Sequence, residues 1–213
     1  MDRRIRTKGR RKPRLGIGGD ITRMICSIPA PLCIPPLDGI RPWCILRKAI
    51  CFPGNLLKNP GFETGDLTYW DYAYDPCIDV KATTDSAHEG RYGLSISYVN
   101  CLEGDYEYVD LNQVTIQLTP GKRVKLSMWI HPRSMESDYV ELFIGYYDRG
   151  GNFLKEDIMQ WEFGDLEKGW QEIVLESAVP ADTYDADVDI YIRGINSGAD
   201  PSISMDHVSF SEV

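Results

Sequence analysis

From about Asn55 onward the chain reads as short runs in which apolar and polar side chains alternate, the period-two pattern of β-strands. In VKLSMWIH, Val124, Leu126, Met128 and Ile130 fall on one side and Lys125, Ser127, Trp129 and His131 on the other. DYVELFIGYY sets Val140, Leu142, Ile144 and Tyr146 against Tyr139, Glu141, Phe143 and Tyr147, and DADVDIYIRG sets Val188, Ile190 and Ile192 against Asp187, Asp189, Tyr191 and Arg193. Turn signals at Asn59-Pro60-Gly61, Glu89-Gly90, Thr119-Pro120-Gly121, Asp148-Arg149-Gly150-Gly151, Lys168-Gly169 and Val179-Pro180 separate the runs. No segment sustains a helical period over three turns, so the pattern predicts an all-β sandwich or barrel.

The first 54 positions break this pattern. Residues 1–23 are basic and contain glycines, and the apolar stretch that follows is interrupted by Pro29, Pro31, Pro35, Pro36, Pro42 and Pro53. Proline offers no amide donor and fixes its own backbone angle, so this segment is expected to be an extended, irregular arm or connector. The division expected is therefore an arm over 1–54 and a β domain over 55–213. A length of 213 residues, 43% of them hydrophobic, leaves room for one well-buried domain and an extension.

Charge divides at the same boundary: residues 1 to 53 carry 12 Lys or Arg against 3 Asp, and 54 to 213 carry 11 against 29 Asp or Glu. A basic arm on an acidic body can meet an anionic polymer, anionic lipid, nucleic acid or the body of a neighbouring copy. Nucleic acid is disfavoured, because the basic run has neither interleaved aromatics nor a nucleic-acid-binding fold. No run of about 18 apolar residues exists, so no membrane-spanning helix is expected. The opening MDRRIRTKGRRKPR leads into Gly18, Gly19, Asp20 and Arg23 and not into the apolar stretch of a secretion signal.

Six cysteines stand at Cys26, Cys33, Cys44, Cys51, Cys77 and Cys101, the first four as C-x6-C-x10-C-x6-C. Without C-x-x-C pairs or clustered histidines the spacing does not favour zinc. Covalent cross-linking through these six thiols is the sharper reading, and reduced, buried cysteines are the alternative.

The runs NLLKNPGFETGDLTYW, AHEGRYGLSI, TPGKRVKLSMWI, GWQEIVLES and ISMDHVSF, in that order over about 155 residues, resemble the carbohydrate-binding modules of the family four, nine and twenty-two type. The resemblance implies a jelly-roll sandwich of galactose-binding-like topology, with no catalytic residues. It also implies a structural Ca2+ ion where the first and last strands meet the loop after Ser86, held by Glu63, Glu89 and Asp206 with carbonyl oxygens completing the shell. Similar modules occur in proteins of the bacterial spore surface. Met205-Asp206-His207-Val208 departs from the family, which often carries paired aspartates there, and Glu63 and Asp206 have the alternative of a capping and a solvated carboxylate.

Sugar recognition needs flat aromatic rings flanked by groups that hydrogen-bond hydroxyls. Trp129, Phe143, Tyr147 and Tyr191, with Glu141, Asp189, Arg193 and Lys125, supply both, and alternation assigns them to one sheet face; a subunit interface has the same composition. Trp70 and Trp170 read as core residues and Trp161 as either core or surface. Tyr69, Tyr72, Tyr74, Tyr106 and Tyr108 fall in acidic segments expected to be loops. With only His88, His131 and His207, and no nucleophile signature, an enzyme is not expected.

Two functions are compatible with these readings. The favoured one is a non-catalytic structural subunit of a spore-coat or appendage type, a homo-oligomer or polymer whose arm docks on the next copy and becomes disulfide-linked there. A location on the cell or spore surface without a secretion signal would follow. The other is a module that binds a cell-wall or other polysaccharide.

Overall fold

The computed structural model describes residues 32–33, 44–45, 54–99, 106–116, 118–133, 139–195 and 202–213. The chain divides into two compact units, Met1–Cys51 and Phe52–Val213. In the first, β1 (Leu32–Cys33) and β2 (Cys44–Ile45) pair antiparallel, with Cys33 opposite Cys44. The remainder of the expected arm, with Cys26 and Cys51, lies outside the described residues, as does Cys101. Cys77 is disulfide-bonded.

The second unit contains β3 (Asp71–Tyr74), β4 (Ile78–Thr83), β5 (Gly93–Tyr98), β6 (Tyr106–Ile116), β7 (Arg123–Pro132), β8 (Tyr139–Tyr147), β9 (Phe153–Glu162), β10 (Gln171–Ala178), β11 (Asp185–Ile195) and β12 (Ser202–Glu212). They form two five-stranded antiparallel sheets: sheet I in the order β10-β7-β12-β5-β4 and sheet II in the order β3-β6-β11-β8-β9. This is the all-β jelly-roll sandwich expected, and among the described residues the only helical turns are two of the 3-10 type. No helix of the described residues is long and apolar enough to cross a membrane.

The alternation seen in the sequence becomes the core. Sheet I contributes Val124, Leu126, Met128 and Ile130 from β7, Leu94 and Ile96 from β5, and Ile203, Met205, Val208 and Phe210 from β12. Sheet II answers with Val109 and Leu111, Val140, Leu142 and Ile144, and Val188, Ile190 and Ile192; all of these are fully buried. Each buried aliphatic side chain contributes about 1.5–3 kcal/mol of transfer free energy, so the two faces hold the sheets together. Tyr146 crosses between them: its hydroxyl donates to Ser177 Oγ on β10 at 2.6 Å, and that hydroxyl hydrogen-bonds Asp157 on β9. Burial in the core pushes the Tyr146 phenol up to about 12.

In β12 the inward residues go from Met205 to Val208, a step of three. A β-bulge between Asp206 and Ser209 absorbs the extra residue, with His207 at φ +50°. The bulge keeps Val208 and Phe210 in the core and leaves Asp206 opposite Trp129 on the outer side.

The start and finish of this unit are tied by Asn55. Its side-chain Nδ2 donates to Val208 O at 2.9 Å, and its Oδ1 accepts from Leu57 N at 3.1 Å and Phe210 N at 3.0 Å. Four residues on, Asn59 organises the NPGFETG turn: its amide donates to Thr64 Oγ1, Asp66 O and Thr68 O, and its Oδ1 accepts from Thr64 N.

Candidate functional site

Register places the outward side chains of sheet II in rows across the strands. One row runs Ala73, Asp110, Tyr191, Glu141, Gln160, and the next runs Tyr108, Arg193, Tyr139, Glu162. On the other side of the Tyr191 row lie Asp71, Asn112, Asp189, Phe143 and Ile158. Neighbours in such rows stand about 4.5–5.5 Å apart at Cβ, close enough to act on one ligand.

The centre of this face is aromatic. The rings of Tyr108 and Tyr191 stack at 5.8 Å with 18° between planes, and Tyr139 stands 6.2 Å from Tyr191. Phe143 lies low: a Cβ added at Gly145 would come within 2.8 Å of its Cε1 and 3.0 Å of its Cζ, so Gly145 leaves the space the ring occupies. Phe143 and Glu141 are each only 3% exposed although they point away from the core, which makes the middle of the face recessed. Asn112 Nδ2 donates to Asp189 Oδ1 across the strands, orienting both polar ends beside the rings. Tyr147 meets the ring of Phe153 edge-on at 5.9 Å.

Of the residues assigned to one face from the sequence, Phe143, Tyr147, Tyr191, Glu141, Asp189 and Arg193 are brought together here. Trp129 and Lys125 are not. They belong to β7 in sheet I and point out on the opposite side of the sandwich, because alternation fixes which residues share a strand face but not which sheet receives the strand. There Lys125 Nζ pairs with Glu172 at 2.9 Å. Burial raises the Glu172 pKa, and the hydrogen bonds of Lys125 and Ser127 with the Lys125 charge more than reverse this, leaving it below the usual carboxylate value.

Trp129 is half-buried and stacks on His88 at 4.1 Å, 15° from parallel. Trp170, expected in the core, instead packs on this outer surface, 5.1 Å from His88 and 5.5 Å from His131. Desolvation, and then the nearby Arg133 charge, lower the His131 pKa. The rings cover one another and hold the loop after Ser86 to the sheet. Trp70 is buried in the core as expected, its Nε1 donating to Asn59 O, and Trp161 packs partly buried against the core.

The three carboxylates of the expected calcium site lie around that same loop. Asp206 Oδ2 accepts from the amides of His88 at 2.8 Å and Glu89 at 3.0 Å, and its Oδ1 accepts from His207 N at 2.7 Å. Glu63 Oε1 accepts from Arg91 N and Tyr92 N at 2.9 and 3.2 Å. Glu89 turns its carboxylate toward His207 Nδ1 at 3.5 Å. Burial raises the Asp206 pKa, the three amide bonds oppose it, and the Glu63 charge adds to the rise. Among the described residues no three His, Cys, Asp or Glu side chains converge as a metal-holding group. In this arrangement both oxygens of Asp206 and Oε1 of Glu63 accept hydrogens from backbone amides of the loop and the bulge.

Tyr108, Asp110 and Asn112 belong to the recessed face although the sequence reading did not place them there, and Tyr139, which alternation set on the strand face of Glu141 and Phe143, joins them. Tyr72 and Tyr74 lie in β3, and Tyr106 and Tyr108 in β6, not in loops. The signal was present in YEYVDLNQVTI, where Val109 and Leu111 alternate with Tyr108, Asp110 and Asn112; the density of acids around it masked the strand.

Comparison with known proteins agrees with this architecture. A family described as carbohydrate binding domain matches residues 54–198. Comparison with curated proteins gives no match. Among solved structures, a family 61 carbohydrate-binding module in complex with β-1,4-galactotriose is 21% identical with a TM-score of 0.52, covering 75% of this chain and 99% of its own. A family 16 module is 17% identical with a TM-score of 0.54, covering 74% of this chain and all of its own. The enzymatically active domain of tailspike protein 4 from bacteriophage CBA120 is 15% identical with a TM-score of 0.57 over 75% of this chain, which spans 22% of that longer protein. At these identities the structural likeness speaks to fold alone, and the family match over most of the chain does the rest. It favours the glycan-binding reading of the sequence over the structural subunit: the chain belongs to the carbohydrate-binding domain family.

Proposed function

We propose that the domain is a non-catalytic glycan-binding module, and that the recessed outer face of sheet II is where the sugar chain lies. The contiguous rings of Tyr108, Tyr191 and Tyr139, with Phe143 on the same face, carry this reading. Pyranose rings have apolar C–H faces that pack on aromatic rings, and such a row gives successive sugars a surface without requiring a deep pocket. Asn112, Asp189, Glu141 and Arg193 then supply acceptors and donors at the edge of that surface for hydroxyl groups. Rigid strands hold all of them, so little ordering entropy opposes binding.

Affinity electrophoresis of the full chain through gels containing soluble polysaccharides, followed by calorimetry with oligosaccharides of the retarding type, tests the proposal. Tyr191→Ala and Tyr108→Ala should each weaken binding about tenfold, equivalent to roughly 1.4 kcal/mol, with an unchanged circular dichroism spectrum. Retardation by no polysaccharide, or full affinity in both variants, would overturn it.

A further inference from the structure

The charge of this face narrows the glycan it can take. Asp110, Glu141, Asp187, Asp189, Glu156 and Glu162 all point outward from sheet II, and among the described residues of β6, β8, β9 and β11 the only base on that side is Arg193. One guanidinium leaves such a face strongly negative, whichever carboxylates it neighbours. A uronate, phosphate or sulfate laid along it would meet like charge in a partly desolvated recess, where repulsion is least screened.

The arrangement goes beyond net charge. Tyr191 stands in its row between Asp110 on one side and Glu141 on the other, and Tyr139 stands in the next row between Arg193 and Glu162. An aromatic face bordered by carboxylates is chemically suited to an ammonium group: the ring quadrupole attracts the cation over the face, and the carboxylates accept its N–H hydrogens at the edge. A sugar bearing a free amine presents both halves of that match, C–H faces for the ring and an ammonium for the acids. A hydroxyl or an acetamide at the same carbon offers only hydrogen bonds.

Resting on the glycan-binding reading above, we infer that the tyrosine row of sheet II prefers a glycan carrying free amino groups, a de-N-acetylated hexosamine polymer, over its N-acetylated form, and rejects uronate polymers. The preference is electrostatic in origin, so it weakens as salt rises, whereas the stacking contribution does not.

The test is calorimetry of the full chain with glucosamine oligosaccharides and with N-acetylglucosamine oligosaccharides of the same length, in mildly acidic buffer where the amine is protonated, at low and high salt. Neutral gluco- and galacto-oligosaccharides and oligogalacturonate serve as further ligands. The amine-bearing series should bind about tenfold tighter than its acetylated partner at low salt, with the ratio shrinking at high salt, and oligogalacturonate should give no heat. Asp110→Asn combined with Glu162→Gln, a half-buried and an exposed position, should bring the ratio of amine-bearing to acetylated affinity toward one, and an unchanged ratio would overturn the inference. Equal affinity for the two hexosamine series, or binding of oligogalacturonate, overturns the inference while the glycan-binding reading stands. If no oligosaccharide of any type binds, it is that reading which falls, and the preference falls with it.

Discussion

Replacing Asn55 by Ala tests whether its amide side chain fastens the beginning of the β domain to its last strand. The side chain is 6% exposed and makes three hydrogen bonds, one donated to Val208 O and two accepted from Leu57 N and Phe210 N. Alanine leaves all three backbone groups without that partner in a region where water does not readily reach them. A buried orphan costs about 1–3 kcal/mol, so even at the lower figure the loss sums to roughly 3 kcal/mol. That is a large part of a typical domain stability of about 5–15 kcal/mol. At about 2–4 °C per kcal/mol for a domain of this size, the melting temperature should fall by roughly 6–12 °C. Urea unfolding followed by tryptophan fluorescence, beside a thermal melt by circular dichroism, measures both, with Lys58→Ala as a neighbouring surface control. A fall of less than about 2 °C would refute the reasoning, since it would mean that the three groups find other partners or that this seam contributes little.

Trp129→Ala should lower stability, by removing the ring on which His88 stacks, yet leave glycan affinity unchanged, because β7 lies in the other sheet; a lost affinity would move the site to sheet I. Tyr146→Phe should cost about 1–2 kcal/mol in urea unfolding, since Ser177 loses the donor that reaches it across the core. For Asp206 the folded pKa lies above the unfolded one, so its contribution to stability is fully present below the unfolded value and is lost as pH rises through the folded value. The stability difference between the native chain and Asp206→Asn should therefore move against the native chain on going from about pH 4 to neutrality, and a difference flat in pH would contradict the assignment. Adding calcium after chelation should leave the melting temperature within about 1 °C, because Asp206 and Glu63 already accept amide hydrogens; a larger rise would show that these carboxylates turn to an ion, since ligand binding to the folded state alone must stabilise it.

Much of the fold is legible in the linear pattern. The inward residues of β7, β8 and β11 follow from a period of two, because a pleated strand with one face on the core has no other way to place them. The Asn55 and Asn59 side chains sit beside turn-forming glycine and proline, where short amides find local backbone partners. The bulge in β12 is readable in hindsight from Met205 and Val208, whose spacing of three breaks the alternation.

The site is less legible, and for a definite reason. Alternation is a property of one strand, whereas a binding face is assembled from strands far apart in sequence: Tyr108, Tyr139 and Tyr191 become neighbours only because β6 and β8 flank β11. The same rule misled the grouping of Trp129 and Lys125 with β8 and β11, since equal patterns arise on the outer faces of both sheets. The carboxylate loop shows the complementary limit. Residue types alone allow Glu63, Glu89 and Asp206 to surround a cation, and only the packed loop shows amide hydrogens pointing at Asp206 and Glu63. By itself the sequence determined the sandwich, its core and its acidic character, which are sums over local choices; the tertiary structure decided which aromatic rings share a surface, because pairing order between distant strands is not encoded in any one of them.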